Sequence, residues 1–86
     1  MHKRFNFDTI EQVKDANPTN PVWLSGVGVL LPGGFFVVAV SHGVFCTYRV
    51  ANADGEIEKV GKKHYGTHKE ALVWIMAMQD VMSGVS

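Results

Sequence analysis

The apolar residues of this chain are concentrated in one uncharged stretch. Residues 16–48 contain no Asp, Glu, Lys or Arg, and residues 35–40 read FFVVAV, apolar at every position. A strand with one face in water alternates apolar and polar residues, so a continuous apolar run predicts a strand covered on both faces. A chain of 86 residues with one long helix has little material for two covers. We therefore expect apolar surface that a single copy leaves uncovered.

Turn signals divide the chain after residue 21 into three or four antiparallel strands. The sequence PGG at 32–34 separates predicted strands at 22–31 and 35–41, and the pair His42-Gly43 leads into a third strand at 44–51. The sequence NADG at 52–55 predicts a hairpin into a fourth strand at 56–65, because Asp-Gly tolerates the positive φ of such turns. The charges of that fourth strand mark it as an edge. Alternation along the third strand places Phe45, Thr47, Arg49 and Ala51 on one face and Val44, Cys46, Tyr48 and Val50 on the other.

Capping patterns predict a helix on each side of the sheet sequence. Asp8 followed by Glu11 has capping-box spacing for a short helix over 9–16, after a short strand containing Phe5 and Phe7. Thr67 is followed three residues later by Glu70, which is also capping-box spacing. This predicts the start of a long helix that ends near residue 82 or 83. Helical periodicity turns one apolar face toward the sheet and leaves an opposite stripe outward. The inward face is Ala71, Trp74, Ile75, Met78 and Met82, and the outward stripe is Lys69, Val73, Met76 and Asp80.

These elements predict a single α+β domain over residues 1–86. It consists of an antiparallel meander of three or four strands, one long C-terminal helix across one face, and a short N-terminal helix or arm. Residues 22–40 are uncharged and long enough to cross a bilayer, which leaves a small membrane protein as a lesser alternative. The PGG triplet at their centre favours a hairpin instead. The N-terminus has no apolar core after its charges and does not resemble a secretory signal.

Composition narrows the partners and the compartment. Eight acidic and eight basic residues cancel, so long-range attraction to nucleic acid would need a local basic patch. A lone cysteine, Cys46, cannot form an internal disulfide, which favours a reducing, cytoplasmic location.

No residue pattern in the chain indicates catalysis, a cofactor or a metal. His64 and His68 have a helical ligand spacing, but the cap at Thr67 leaves His64 outside the helix. Cys46 lies in the middle of a predicted strand, where a small thiol packs in a core. The sequence GVG at 26–28 is followed by LLP rather than by a helix start, so it is not a phosphate loop. We therefore expect a protein that is not an enzyme and binds no cofactor.

A basic segment precedes the long helix and supports a nucleic-acid alternative. No acid falls between residues 59 and 69, and a basic strand end beside a helix N-terminus can hold phosphates. The other interpretation is an edge strand protected by lysines, with acids close by at 54, 56 and 58. The candidate nucleic-acid residues are Arg49, Lys59, Lys62, Lys63, His64, Tyr65 and Lys69, with Tyr65 available to stack on a base.

The C-terminal half resembles known small modules. Residues 44–82 run from a strand through a DG turn and a basic strand into YGTHKEAL and a helix. This order resembles Arm-type and AP2-like DNA-binding domains, whose three-stranded sheet enters the major groove, and double-stranded-RNA-binding domains, of which Lys69 and Ala71 match the start of the last helix. A capped helix with a tryptophan after a meander also resembles small phage-encoded inhibitors of host machinery, including anti-CRISPR proteins. That resemblance implies a protein that blocks a nucleic-acid-handling complex.

The leading expectation is a protein-binding domain that acts by occlusion or by forming a homodimer. It rests on apolar surface beyond what one helix can hide, from Val73 and Met76 on the helix and from Phe45 on the sheet's second face. The alternative is that the N-terminal segment, with Phe5, Phe7, Ile10 and Trp23, folds over that surface. The candidate protein-binding residues are Phe45, Arg49, Lys69, Val73, Met76 and Asp80.

Overall fold

The structure, a computed structural model, describes residues 7–84, with side chains described as far as residue 81. Two helices and a short 3-10 helix accompany four strands in this part of the chain. In chain order they are α1 (Ile10–Ala16), the 3-10 helix (Pro21–Leu24), β1 (Gly26–Val27), β2 (Phe35–Ser41), β3 (Val44–Val50), β4 (Ile57–Tyr65) and α2 (His68–Gly84).

The four strands form one antiparallel sheet in the order β1-β2-β3-β4. Each strand pairs with the next along the chain, with Phe36 opposite Tyr48 and Arg49 opposite Glu58. This meander with a C-terminal helix confirms the predicted α+β fold and the edge position of β4. Turn chemistry explains the connections, because Gly43 and Gly55 have φ of 74° and 87°, values that L side chains rarely adopt.

Helix α2 covers one face of the sheet. Its inward residues Ala71 and Ile75 are fully buried and form a core cluster with Phe35, Val37 and Tyr65. The ring of Trp74 meets that of Phe35 edge-on, with centroids 6.1 Å apart. The inward face predicted from helical periodicity is confirmed for the side chains that the structure describes, while that of Met82 lies outside them.

The N-terminal segment covers the second face. Phe36 and Val38 point away from α2 and are 0% and 1% exposed. Trp23 of the 3-10 helix stacks on Phe36 at 6.1 Å, and Val13 of α1 is fully buried. Both faces of β2 are therefore covered within one copy from Phe35 to Val38, and on the second face the cover comes from the N-terminal segment, one of the two alternatives above. Further along the strand Ala39 is half-buried and Val40 is 49% exposed.

Two local predictions are also wrong. The expected strand at 22–31 is a 3-10 helix followed by a strand of only two residues. Pro21 opens that 3-10 helix because its missing N–H needs no partner in the first turn, and the Asn20 side chain accepts the N–H of Val22. The cap of α1 is Thr9 with Gln12, one residue later than the predicted Asp8 and Glu11. The predicted strand at Phe5 lies outside the described residues, and Phe7 is in no strand.

Candidate interaction surface

The outer stripe of α2, defined as Lys69, Val73, Met76 and Asp80, faces away from the sheet. The helix that carries it is capped at its start by Thr67 and Glu70, although Glu70 bonds the residue before Thr67 rather than Thr67 itself. Thr67 Oγ1 accepts the Glu70 N–H at 3.1 Å, and Glu70 Oε1 accepts the Gly66 N–H at 3.1 Å. With Ala71 and Ile75 fixed in the core, Val73 and Met76 remain 55% and 63% exposed. Two apolar side chains therefore lie in water between a cation and an anion.

A groove runs beside the outer stripe, between α2 and β4. It has a volume of about 520 Å³ and combines two lysines with an apolar floor. Tyr65 is only 4% exposed, and the Lys62 ammonium lies 5.5 Å from its ring centroid. The lining residues are Lys62, Tyr65, Lys69, Glu70, Val73, Trp74 and Ala77.

A large bulge in β4 shapes one side of this groove. Phe45 and Thr47 of β3 are two residues apart, whereas their partners on β4, Tyr65 and Val60, are five apart. Gly61 has φ of 79°, and a Cβ there would lie 2.5 Å from Tyr65 Oη. The same hydroxyl accepts the Lys62 N–H at 3.0 Å. The chain therefore needs glycine at residue 61 to turn outward, and the bulge carries Lys62 with it.

The predicted nucleic-acid-binding residues lie in separate places in the structure and do not form one basic surface. Lys62 and Lys69 share the groove, while Lys63 and His64 are exposed on the bulge. Lys59 is opposite Tyr48, on the side of the sheet away from α2, and its ammonium binds the Lys63 carbonyl. Tyr65 is buried beneath Lys62, so its ring is not available to stack on a base.

Two predicted protein-binding residues lie apart from the outer stripe. Phe45 was expected on the second face, but it packs against the core under α2, and its ring meets the His68 ring at 5.8 Å. The prediction of its face is wrong because α2 covers the face that Phe45 shares with Thr47 and Arg49. Arg49 is half-buried, with its guanidinium carbon 5.7 Å from the Phe35 ring centroid and Nη1 3.9 Å from a Glu58 oxygen.

The side chains with potential for chemistry are dispersed. Cys46 is 6% exposed and its Sγ lies 3.6 Å from the Lys63 carbonyl oxygen, in a packed environment. Among residues 7–84, no three His, Cys, Asp or Glu side chains come together as a metal site. The phenol of Tyr48 has its pKa raised above the ordinary value near 10, first by burial and then by the neighbouring Cys46.

Sequence reasoning missed three groove residues, namely Glu70, Trp74 and Ala77. Trp74 was assigned to the inward face, which is correct for its ring contact with Phe35, but an indole is wide enough to reach the helix flank as well. Their helical spacing beside Lys69 and Val73 was the available signal. The exposed residues Leu24 (90%) and Val29 (72%), expected in a strand, were also missed.

Comparison with known proteins gives no match from which a role for the outer stripe or the groove could be inferred. The chain matches no family model, no curated protein and no solved structure. Within the described residues, no helix has both the length and the apolar character needed to span a membrane. Residues 22–40, the predicted alternative span, contain most of the 3-10 helix, all of β1 and most of β2.

Proposed function

We propose that this chain is a non-enzymatic protein-binding domain that docks through the outer stripe of α2. The observation that supports it is the exposure of Val73 and Met76, at 55% and 63%, in the middle of a helix whose other face already holds the core. Exposed apolar side chains flanked by charges are typical of the centre and rim of a contact surface. Occlusion of a partner's own site, as the resemblance to phage-encoded inhibitors implies, is one outcome of such docking.

Site-specific photocrosslinking tests this proposal. A photoreactive residue at Met76 should capture another polypeptide in cells that express the chain. The control places the same residue at Leu24, which is 90% exposed beside β1, the opposite edge of the sheet from β4. An adduct at Met76 and none at Leu24 supports docking by α2. Equal yields at both positions, or none at Met76, would reject the outer stripe as a docking surface.

A double substitution checks the same surface by loss of function. A chain that carries both Val73→Asp and Met76→Asp should no longer bind its partner through the outer stripe. Binding would remove water from two carboxylates in the interface, which is costly. Both side chains are exposed, so circular dichroism and the unfolding midpoint should stay near those of the parent chain. Retained binding by this folded variant would contradict the proposal.

Nucleic-acid binding is a second candidate, favoured by the two lysines that share the groove. Three features weigh against it. Glu70 lies in the same groove, Lys59 points to the other side of the sheet, and on that other side Trp23 of the 3-10 helix covers Phe36 of the sheet. The test is the anisotropy of labelled duplex and single strands at about 50 and 200 mM salt, since phosphate contacts lose affinity steeply over that range. Binding that falls with salt and is lost in Lys62→Glu/Lys69→Glu would favour this candidate.

A further inference from the structure

Resting on the proposed docking role of the outer stripe, we propose that its occupant is a second copy of this chain. The two α2 helices would pair antiparallel about a two-fold axis. Two observations point to this arrangement, the spacing of the stripe and the placement of its charges, and the short length of the stripe bears on how strong the association is. Each of them is a property of α2 as it stands in the fold.

The spacing of the stripe is that of a helix-pairing seam. Lys69 and Val73 are four residues apart, Val73 and Met76 three, and Met76 and Asp80 four. Alternating steps of three and four keep one line of side chains facing a partner helix, as in coiled coils. A helix that only covers a sheet needs this pattern on its inward face alone, where Ala71 and Ile75 already provide the contact.

The charges of the stripe are complementary to those of a reversed copy. Because the steps read the same in both directions, an antiparallel pair centred between Val73 and Met76 sets Lys69 opposite the partner's Asp80. It also sets Val73 opposite the partner's Met76, so both charges and both apolar residues find a match. Two-fold symmetry repeats each pair, which makes the patch self-complementary. A parallel pair would instead oppose lysine with lysine and aspartate with aspartate.

Local contacts are compatible with this pairing. Asp80 makes a further interaction within its own chain, and a carboxylate has two oxygens that accept several hydrogen bonds, so it can also face a lysine. The groove beside Val73 and Ala77 opens next to the position of the partner's Met76. An unbranched methionine adapts its shape to such a groove.

The length of the seam sets the strength of the association. From Lys69 to Asp80 the helix advances about 16 Å, at about 1.5 Å per residue. A contact of this length is smaller than a stable obligate interface, so we expect a weak, reversible dimer. Dilution should therefore separate the two copies without unfolding either one.

Sedimentation velocity across a concentration series tests both the dimer and its orientation. The parent chain should shift from 9.5 kDa to twice that mass as concentration rises. Lys69→Asp and Asp80→Lys, each alone, should weaken association about tenfold or more, because each creates two like-charge pairs. Lys69→Asp with Asp80→Lys in one chain should recover it, and so should a mixture of the two single variants. Circular dichroism of each variant confirms that the domain is folded.

The outcomes separate this inference from the proposed function. A chain that stays monomeric at all concentrations, or single variants that associate like the parent, would overturn the antiparallel dimer. If a monomeric chain still gives a Met76 adduct with a different polypeptide, docking by α2 stands and only the identity of the occupant is wrong. If Met76 gives no adduct of any mass, both proposals fail.

Discussion

The Asn17 side chain donates a hydrogen bond to the carbonyl oxygen of Gly55, 38 residues further along the chain, at 2.6 Å. The same side-chain nitrogen donates to the backbone carbonyl of Val13 at 2.9 Å. The backbone carbonyl of Asn17 accepts the indole N–H of Trp23 at 2.6 Å. One residue thus joins the end of α1, the β3–β4 turn and the 3-10 helix. These contacts fix the N-terminal segment over the second sheet face, where Phe36 and Val38 of β2 are buried within one copy.

Replacing Asn17 by Asp should loosen this cover, because a carboxylate cannot donate to the Gly55 and Val13 carbonyls. We expect a loss of about 1–3 kcal/mol in the free energy of unfolding, measured with urea. Asn20→Asp is the matched control. The Asn20 side chain only accepts a hydrogen bond, from the Val22 N–H at 3.0 Å, so its replacement should change stability by less than about 0.5 kcal/mol. Equal losses would show that the donated bonds do not matter.

Gly55 also packs against the N-terminal segment, and Gly55→Ala should therefore cost more than a change of backbone conformation alone. A Cβ there would lie 2.7 Å from the Ala16 Cβ and 2.8 Å from the Phe7 ring. Gly43→Ala is the matched control, since Gly43 has a similar positive φ with open space around it. We expect a loss of about 1 kcal/mol for Gly43→Ala and clearly more for Gly55→Ala in urea unfolding. Similar losses at both positions would contradict the packing of the turn on α1.

Stability at alkaline pH should depend on Tyr48. Burial, with Cys46 nearby, raises the pKa of its phenol in the folded chain above the ordinary value near 10. Below that pH the phenol is protonated in both states and contributes nothing. As the pH rises past about 10, the unfolded chain loses its proton first, so the free energy of unfolding falls.

The measurement is the unfolding free energy of the parent and of Tyr48→Phe between about pH 8 and 11. Phenylalanine can keep the stacking on Phe36, where the ring centroids are 5.7 Å apart. The substitution removes the ionisable hydroxyl. The parent should lose more stability than the variant over this range. Parallel curves would show that Tyr48 does not titrate differently in the two states.

The regular elements could be predicted because local chemistry determines them. Turn glycines set the ends of β2 and β3, and Thr67 with Glu70 set the start of α2. The N-terminal half could not be predicted from its β-rich composition, because Pro21 and the Asn20 cap favour a 3-10 turn over a strand. Periodicity placed the outer stripe correctly, whereas the face of Phe45 depended on which side of the sheet α2 would cover. The two-residue alternation of a strand separates its two faces but does not show which face a helix will cover.

Two valines on the helices test whether the outer stripe is free of intrachain packing. Val13 of α1 is fully buried and Val73 of α2 is 55% exposed. Val13→Ala should cost about 1–3 kcal/mol, because it removes buried methyl groups and leaves a cavity. Val73→Ala should stay within about 0.5 kcal/mol, since little packing is lost and alanine favours the helix. The measurement is urea unfolding at a protein concentration low enough to keep the chain monomeric. A large loss at Val73 in the monomer would mean that the side chain is held by its own chain, and the stripe would then offer a partner Met76 as its one apolar residue.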